Sequence, residues 1–137
     1  MDEPATVMLL CVHNAGRSQM AAAWLRHLAG DRIHVVSAGS QPADRVHEVA
    51  AQAMDEVGID IAGKQPRTWR DEELEAADVV VKMGCGDACP VVPGTRYVDW
   101  SLDDPAGKPL EAVRPIRDEI EWRVRALLDE LGVPARA

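Results

Sequence analysis

The apolar run Val7-Met8-Leu9-Leu10 is too short and too continuous for a helix face, and it passes directly into Cys11-Val12-His13-Asn14-Ala15-Gly16-Arg17-Ser18. Beyond Ser18 the apolar residues Met20, Trp24, Leu25 and Leu28 recur at helical spacing, with a stop at Gly30. A buried strand that turns within a few residues into a helix is the start of a βα unit. The same alternation continues. Ile33–Val36 reads as a second strand ending in Ser37-Ala38-Gly39. Val46, Val49, Ala50, Ala53, Met54 and Val57 mark a second helix closed by Gly58. Asp71–Ala77 predicts a short helix, Val79–Val81 a third strand and Tyr97-Val98 a fourth. Ile116, Ile120, Val124, Leu127, Leu128 and Leu131 line one face of a final helix, with Gly132 and Pro134 beyond it.

Strands alternating with helices imply parallel pairing through right-handed crossovers. The expected fold is α/β: a doubly wound, four-stranded parallel sheet with helices on both faces, as a single domain over residues 1–137. Ligands of such sheets sit beyond the carboxyl ends of the strands. That rule gathers the Cys11–Ser18 loop, the Ser37 turn, the Cys85 turn and the 103–107 segment on one rim. With no Phe in the chain, the four Trp are expected in the core, Trp24 among them.

Composition excludes some partners. A net charge of −8 disfavours nucleic acid and anionic membranes. No apolar run is long enough to span a bilayer, and Met1-Asp2-Glu3-Pro4 is no secretory leader, so a cytoplasmic location is expected. Three cysteines fit reduced, working thiols better than a disulfide framework. An acidic protein that binds an anion must concentrate its positive potential locally.

The Cys11–Ser18 loop is the place for it. Where a strand turns into a helix, successive backbone amides of Val12, His13, Asn14, Ala15, Gly16, Arg17 and Ser18 can surround a tetrahedral oxyanion, and the helix N-terminus adds its dipole. Arg17 in a first helical turn opposes that dipole unless an anion sits beside it. Cys11 at the floor of such a ring lies in positive potential, where a nucleophilic thiolate is favoured. Ser18 and Ser37 are candidate hydrogen-bond donors to its sulfur.

Displacement at an oxyanion also needs a proton for the leaving oxygen. Asp103-Asp104-Pro105-Ala106-Gly107 is turn chemistry that fixes a carboxylate at a loop tip. Cys85 and Cys89 lie in a glycine-containing turn; they read either as a redox pair able to relieve an adduct on Cys11 or as two unrelated loop residues. Neither they nor the scattered His13, His27, His34 and His47 have metal-ligand spacing, so no metal is expected. Lys64-Gln65-Pro66-Arg67-Thr68 reads as a solvated basic loop.

Taken together, Cys11–Ala21, Ser37-Ala38-Gly39, the Cys85/Cys89 turn and Trp100–Gly107 resemble the low-molecular-weight phosphotyrosine-phosphatase family, and more closely its arsenate reductase branch. The resemblance covers nearly the whole chain. It implies that Cys11 attacks arsenate, that Arg17 and the loop amides hold its oxygens, that Asn14 braces the loop and that Asp104 is the general acid. The close spacing of Cys85 and Cys89 is similar to relatives that pass the arsenic adduct to the small thiol mycothiol. A thioredoxin-coupled relay through Cys11, Cys85 and Cys89 and a tyrosine phosphatase are the alternatives. No bound cofactor is implied, only a thiol or redoxin co-substrate. Ala22 stands where some thioredoxin-coupled members carry a glutamate that helps to bind potassium, so no bound cation is expected.

Overall fold

Alternation along the first strand divides the core in two. In β1 (Ala5–Cys11) the side chains of Val7, Leu9 and Cys11 enter one apolar cluster, while Met8 and Leu10 enter another on the opposite face. All five are buried, as a central strand covered on both faces requires. The computed structural model describes residues 4–84 and 93–136.

β2 (Ile33–Gly39), β3 (Val79–Lys82) and β4 (Arg96–Asp99) complete a parallel sheet of order β2-β1-β3-β4. The register sets Cys11 beside Gly39 and Leu10 beside Lys82, so the carboxyl ends of β1, β2 and β3 open on one rim. α1 (Arg17–Ala29), α2 (Glu48–Asp55) and α4 (Leu110–Glu130) cover the face of Val7 and Leu9, supplying Met20, Leu25, Met54, Val113, Ile120 and Leu128 to its cluster. α3 (Asp71–Ala76) covers the other face with Leu74, against Met8, Leu10 and Val80. Each fully buried leucine or isoleucine there contributes about 1.5–3 kcal/mol. The chain is α/β, with a parallel sheet and helices on both faces, as the alternation predicts.

Three expectations shift. α4 begins at Leu110, ahead of Ile116, and runs through Pro115. A proline in a helix removes one amide bond, but Val113, fully buried, lies on the same stripe as Ile116 and Ile120 and holds that leading turn to the core. α2 is shorter than the Val46–Val57 pattern because the His47 amide is bonded to the Ala15 carbonyl, outside the helix. The tryptophans are not all core. Trp24 and Trp100 are buried, but Trp122 is 67 % exposed, since two residues from Ile120 and two from Val124 is the solvent side of α4.

α2 and α4 are tied at their surface by Glu56, whose carboxylate accepts from Arg114 at 2.6 Å and from Arg117 at 2.8 Å. The hydrogen bond from Arg114 is the main cause that lowers the Glu56 pKa to about 2; partial burial opposes it and Arg117 adds to it. Arg117 also reaches the carbonyl of Ala53 at 2.9 Å. No helix among the described residues is long and apolar enough to cross a membrane.

The Cys11 loop as a candidate oxyanion site

The loop between β1 and α1 is shaped by what holds its carbonyls. Those of Cys11, Val12, His13 and Ala15 accept the amides of Ser40, Gln41, Ala43 and His47 at 2.8–3.2 Å. The Asn14 carbonyl accepts from Gln19 Nε2 at 3.1 Å, and that of Gly16 accepts the Met20 amide at 2.9 Å inside α1. Every carbonyl from 11 to 16 is thus engaged from outside the loop. In a trans peptide the next N–H points opposite to the C=O. Engaging these carbonyls outward therefore turns the amides of Val12 to Arg17 towards the enclosed space. Gly16, the N-cap of α1, has no side chain to cap the helix, and the first turn holds no acid. Its leading amides remain available to an anion.

Two glycines allow this packing. A methyl carbon on Gly39 would lie 2.6 Å from the Val12 carbonyl oxygen and 2.9 Å from the Asn14 nitrogen, so β2 can press against the loop only if it ends in glycine. A methyl on Gly16 would lie 2.7 Å from Cγ of Pro105. The Asp104-Pro105 turn rests directly on the loop.

Asn14 is the brace. It is fully buried and its φ of 51° lies in the left-handed region that asparagine tolerates. Its Oδ1 accepts the backbone amide of Arg67 at 3.1 Å and Gln19 Nε2 at 3.2 Å. The Arg67 amide can only donate, which fixes Oδ1 and therefore Nδ2. Nδ2 donates to Ser18 Oγ at 2.7 Å. Ser18 Oγ also lies 2.9 Å from Cys11 Sγ, a hydrogen bond in which the hydroxyl donates when the sulfur is a thiolate. The Asn14 amide donates to the same sulfur at 3.2 Å. As a thiolate, Cys11, 2 % exposed, accepts both of these hydrogen bonds at the floor of the loop.

Arg17 closes the ring. Its largely buried guanidinium donates to the Leu102 carbonyl at 3.4 Å and lies 3.7 Å from Asp104 Oδ2. The other oxygen of Asp104 accepts the Ala106 amide at 3.0 Å, an Asx turn that orients the carboxylate. Against the guanidinium stands Gly84, with φ +92°, placed by the bond of the Met83 amide to the Leu10 carbonyl at 2.7 Å.

Cys11, Val12, His13, Asn14, Ala15, Gly16, Arg17, Ser18 and Asp104 are brought together. Ser37 is not part of that contact set: it is buried in β2 opposite Leu9, its carbonyl accepts from Arg67, and the hydroxyl on Cys11 is that of Ser18. Cys85 and Cys89 lie outside the described residues. Sequence reasoning gave no site role to Gln19 or Arg67 and read Gly84 only as freedom for the Cys85 turn to move, although the structure joins all three to the loop. Arg67, expected on a solvated loop, has its guanidinium on Glu73 at 2.6 Å while its amide holds Asn14. The only sequence signal for it is Pro66, which extends the chain there. A cleft of about 270 Å³ lined by Gln19, Arg26, His34, Lys64 and Arg67 lies behind this brace and does not include Cys11.

A family model described as low molecular weight phosphotyrosine protein phosphatase matches residues 6–136. A putative arsenate reductase of Halobacterium salinarum is 42% identical over 128 residues, covering 90% of this chain and 90% of that protein. A glutaredoxin arsenate reductase of Synechocystis sp. is 37% identical over 129 residues, with 92% and 98% covered. Among solved structures, a thioredoxin-dependent arsenate reductase of Corynebacterium glutamicum aligns with a TM-score of 0.80 at 39% identity over 96% of this chain. This chain spans 63% of that protein's length.

Proposed function

The chain belongs to the low molecular weight phosphotyrosine protein phosphatase family, and from that premise we propose that it is an arsenate reductase whose nucleophile is Cys11. The observation that carries the reading is the sulfur itself. It accepts a hydrogen bond from the Asn14 amide and shares one with the Ser18 hydroxyl, beneath amides and a guanidinium suited to a tetrahedral oxyanion. The similarity to arsenate reductases over nine-tenths of the chain supports the choice of substrate.

In this reading arsenate sits in the loop with its oxygens on the amides of Val12 to Ser18 and on Arg17. The Cys11 sulfur bonds to arsenic as one arsenic–oxygen bond breaks, and the departing oxygen takes its proton from Asp104. Asp104 is held at the mouth by Pro105 and by its own turn. The adduct is then passed to a thiol. Mycothiol is the proposed acceptor, supported by the close spacing of Cys85 and Cys89 and by its resemblance to mycothiol-using relatives. A second reading is a relay in which Cys85 attacks the Cys11 sulfur and arsenite departs with the electron pair, Cys89 then attacks Cys85 to release the Cys11 thiolate, and thioredoxin reduces the Cys85–Cys89 disulfide. The Corynebacterium protein, thioredoxin-dependent by name, favours it. The Synechocystis protein carries glutaredoxin in its name, so relatives at similar identity differ in reductant. Either route runs on reduced thiols and belongs in a reducing compartment.

Phosphatase action on aryl phosphates has less support. It calls for an aromatic slot at the mouth, and the chain has one Tyr and no Phe. Tyr97 packs with Met8 and Leu10, on the face of the sheet opposite Cys11.

The test is arsenate-dependent NADPH consumption in two reconstituted systems. One holds thioredoxin and its reductase; the other holds mycothiol, a mycothiol-specific redoxin and its reductase. Turnover is expected in the second and abolished by Cys11→Ser, with Cys85→Ser and Cys89→Ser tolerated. Turnover with thioredoxin that requires both later cysteines would replace mycothiol by the relay. Aryl phosphate hydrolysis faster than arsenate turnover would overturn arsenate reduction.

A further inference from the structure

Gly84 stands just past the end of β3, outside both the Cys11 loop and the Asp104 turn, yet it lies against the guanidinium of Arg17. We propose that Gly84 is a positioning residue for Arg17: its bare backbone forms the wall against which the guanidinium is held over the loop. The inference rests on the loop being an oxyanion site, and does not depend on arsenate being the oxyanion.

The geometry is specific. A methyl carbon at position 84 would lie 2.6 Å from Arg17 Nη1, 3.3 Å from Cζ and 3.5 Å from Nη2. The three atoms nearest to it all belong to the guanidinium. The chain leading into Gly84 is held. The Met83 amide is bonded to the Leu10 carbonyl at 2.7 Å, one residue before Cys11, and the Met83 side chain is fully buried. Trp100 N donates to the Lys82 carbonyl at 2.9 Å, so the two residues that lead into Gly84 are both held.

Among the described residues, Arg17 has few other polar contacts. The Leu102 carbonyl at 3.4 Å is a long hydrogen bond, and Asp104 at 3.7 Å is half exposed. The Gly84 wall therefore decides which rotamer keeps the charge above Cys11. Most clashes in a packed interior are resolved by strain spread through the core. Here the element that must give is the far end of a flexible side chain, so a small substitution is cheap for the fold and disruptive for anion binding. No other glycine of positive φ among the described residues touches a residue of the loop.

A Cβ at position 84 carries a second penalty, because φ +92° disfavours any L side chain. The control separates the two. Gly58 has φ +80° with nothing within 4 Å of its would-be Cβ, so Gly58→Ala carries the backbone penalty alone.

The experiment is phosphate binding by calorimetry to Gly84→Ala, Gly58→Ala, Arg17→Ala and the double variant Arg17→Ala/Gly84→Ala, each with a thermal melt. Gly84→Ala is expected to weaken phosphate by about tenfold or more, the scale of one charge-assisted hydrogen bond, and Gly58→Ala to leave it unchanged. The double variant is expected to bind no more weakly than Arg17→Ala, since Gly84 acts only through that side chain. Unchanged affinity in Gly84→Ala, an equal loss in Gly58→Ala, or additive losses in the double variant would each overturn the proposal. Should Gly84→Ala not fold, the Nε–H resonance of Arg17 in the unaltered protein decides. An ordered side chain without added anion supports the wall, and a freely averaging one refutes it. Failure of phosphate to bind the unaltered protein would instead remove the oxyanion site on which the inference stands.

Discussion

Pro105 lies so close to Gly16 that a single methyl at position 16 would come within 2.7 Å of the proline ring. The turn that carries Asp104 is thereby seated on the same peptide that starts α1. Loop and carboxylate are one packing unit, though 88 residues separate Gly16 from Asp104 in the sequence.

Gly16→Ala should therefore impair catalysis without touching a reacting group. Lifting the Pro105 turn by a few tenths of an ångström displaces the Asp104 carboxyl, and misplacement on the order of 1 Å costs about a hundredfold in rate. Single-turnover formation of the arsenic adduct should slow accordingly, with phosphate inhibition changed much less. Equal losses in both would show that the loop, not the acid, had been disturbed.

Asp104→Asn removes the proton while keeping the turn, since an amide oxygen can still accept from Ala106. Adduct formation should drop by about 10²–10⁴-fold, the usual contribution of a positioned general acid. Phosphate should bind at least as tightly, because a negative charge 3.7 Å from Arg17 has gone. Asp103→Asn is expected to be near neutral; a rate loss there as large as that of Asp104→Asn would move the acid to Asp103.

Ser18→Ala leaves Cys11 with one hydrogen bond and the buried Asn14 Nδ2 with none. Stability in urea should fall by about 1–3 kcal/mol for the orphaned amide. Alkylation of Cys11 by iodoacetamide, and turnover with it, should slow by roughly tenfold, in line with one lost charge-assisted bond. If alkylation ran at the original rate, Ser18 would serve the fold alone.

Glu56 makes the stability sensitive to acid. Its pKa falls from an ordinary 4.5 to about 2 in the folded chain, chiefly through the bond from Arg114. A depressed carboxyl pKa stabilises the fold above the unfolded value and loses that effect as pH falls through the folded one. The α2–α4 tie should hold above pH 4.5 and fade between pH 4.5 and about 2. Glu56→Gln should flatten the melting temperature across that window, and melts from pH 6 to pH 2 would reveal it. Identical slopes for both proteins would assign the acid sensitivity elsewhere.

What could be read in advance was what short-range pattern encodes. β1, α1 and their joining loop follow from one apolar run, one helical stripe and the Cys11–Ser18 residues, and so do the parallel sheet and its rim. Cys11 and Arg17 could be nominated from the loop they bracket, whereas the turn left Asp103 and Asp104 as alternatives and only the family resemblance singled out Asp104. The brace could not. Arg67 reaches Asn14 through its backbone amide, and a main-chain donor leaves no trace in residue identity. Ser18 and Ser37 looked equivalent as partners for the sulfur. Only the chain of donors from Arg67 through Asn14 to Ser18 distinguishes them. Gly84 read as freedom for a mobile turn, while the structure shows contact with a guanidinium 67 positions away. Trp122 misled because an absent Phe argues for aromatic burial only on average, and the helical phase of α4 overrules it.

Because Ser40, Gln41, Ala43 and His47 hold the loop carbonyls, the conformational entropy of that ring is surrendered when the chain folds and not when an anion arrives. On the proposed function the site is preorganised, so affinity depends in part on a segment that acts by holding the loop carbonyls. Evolution can therefore retune how tightly the loop grips its oxyanion by altering residues 40 to 47, leaving Cys11 to Ser18 untouched.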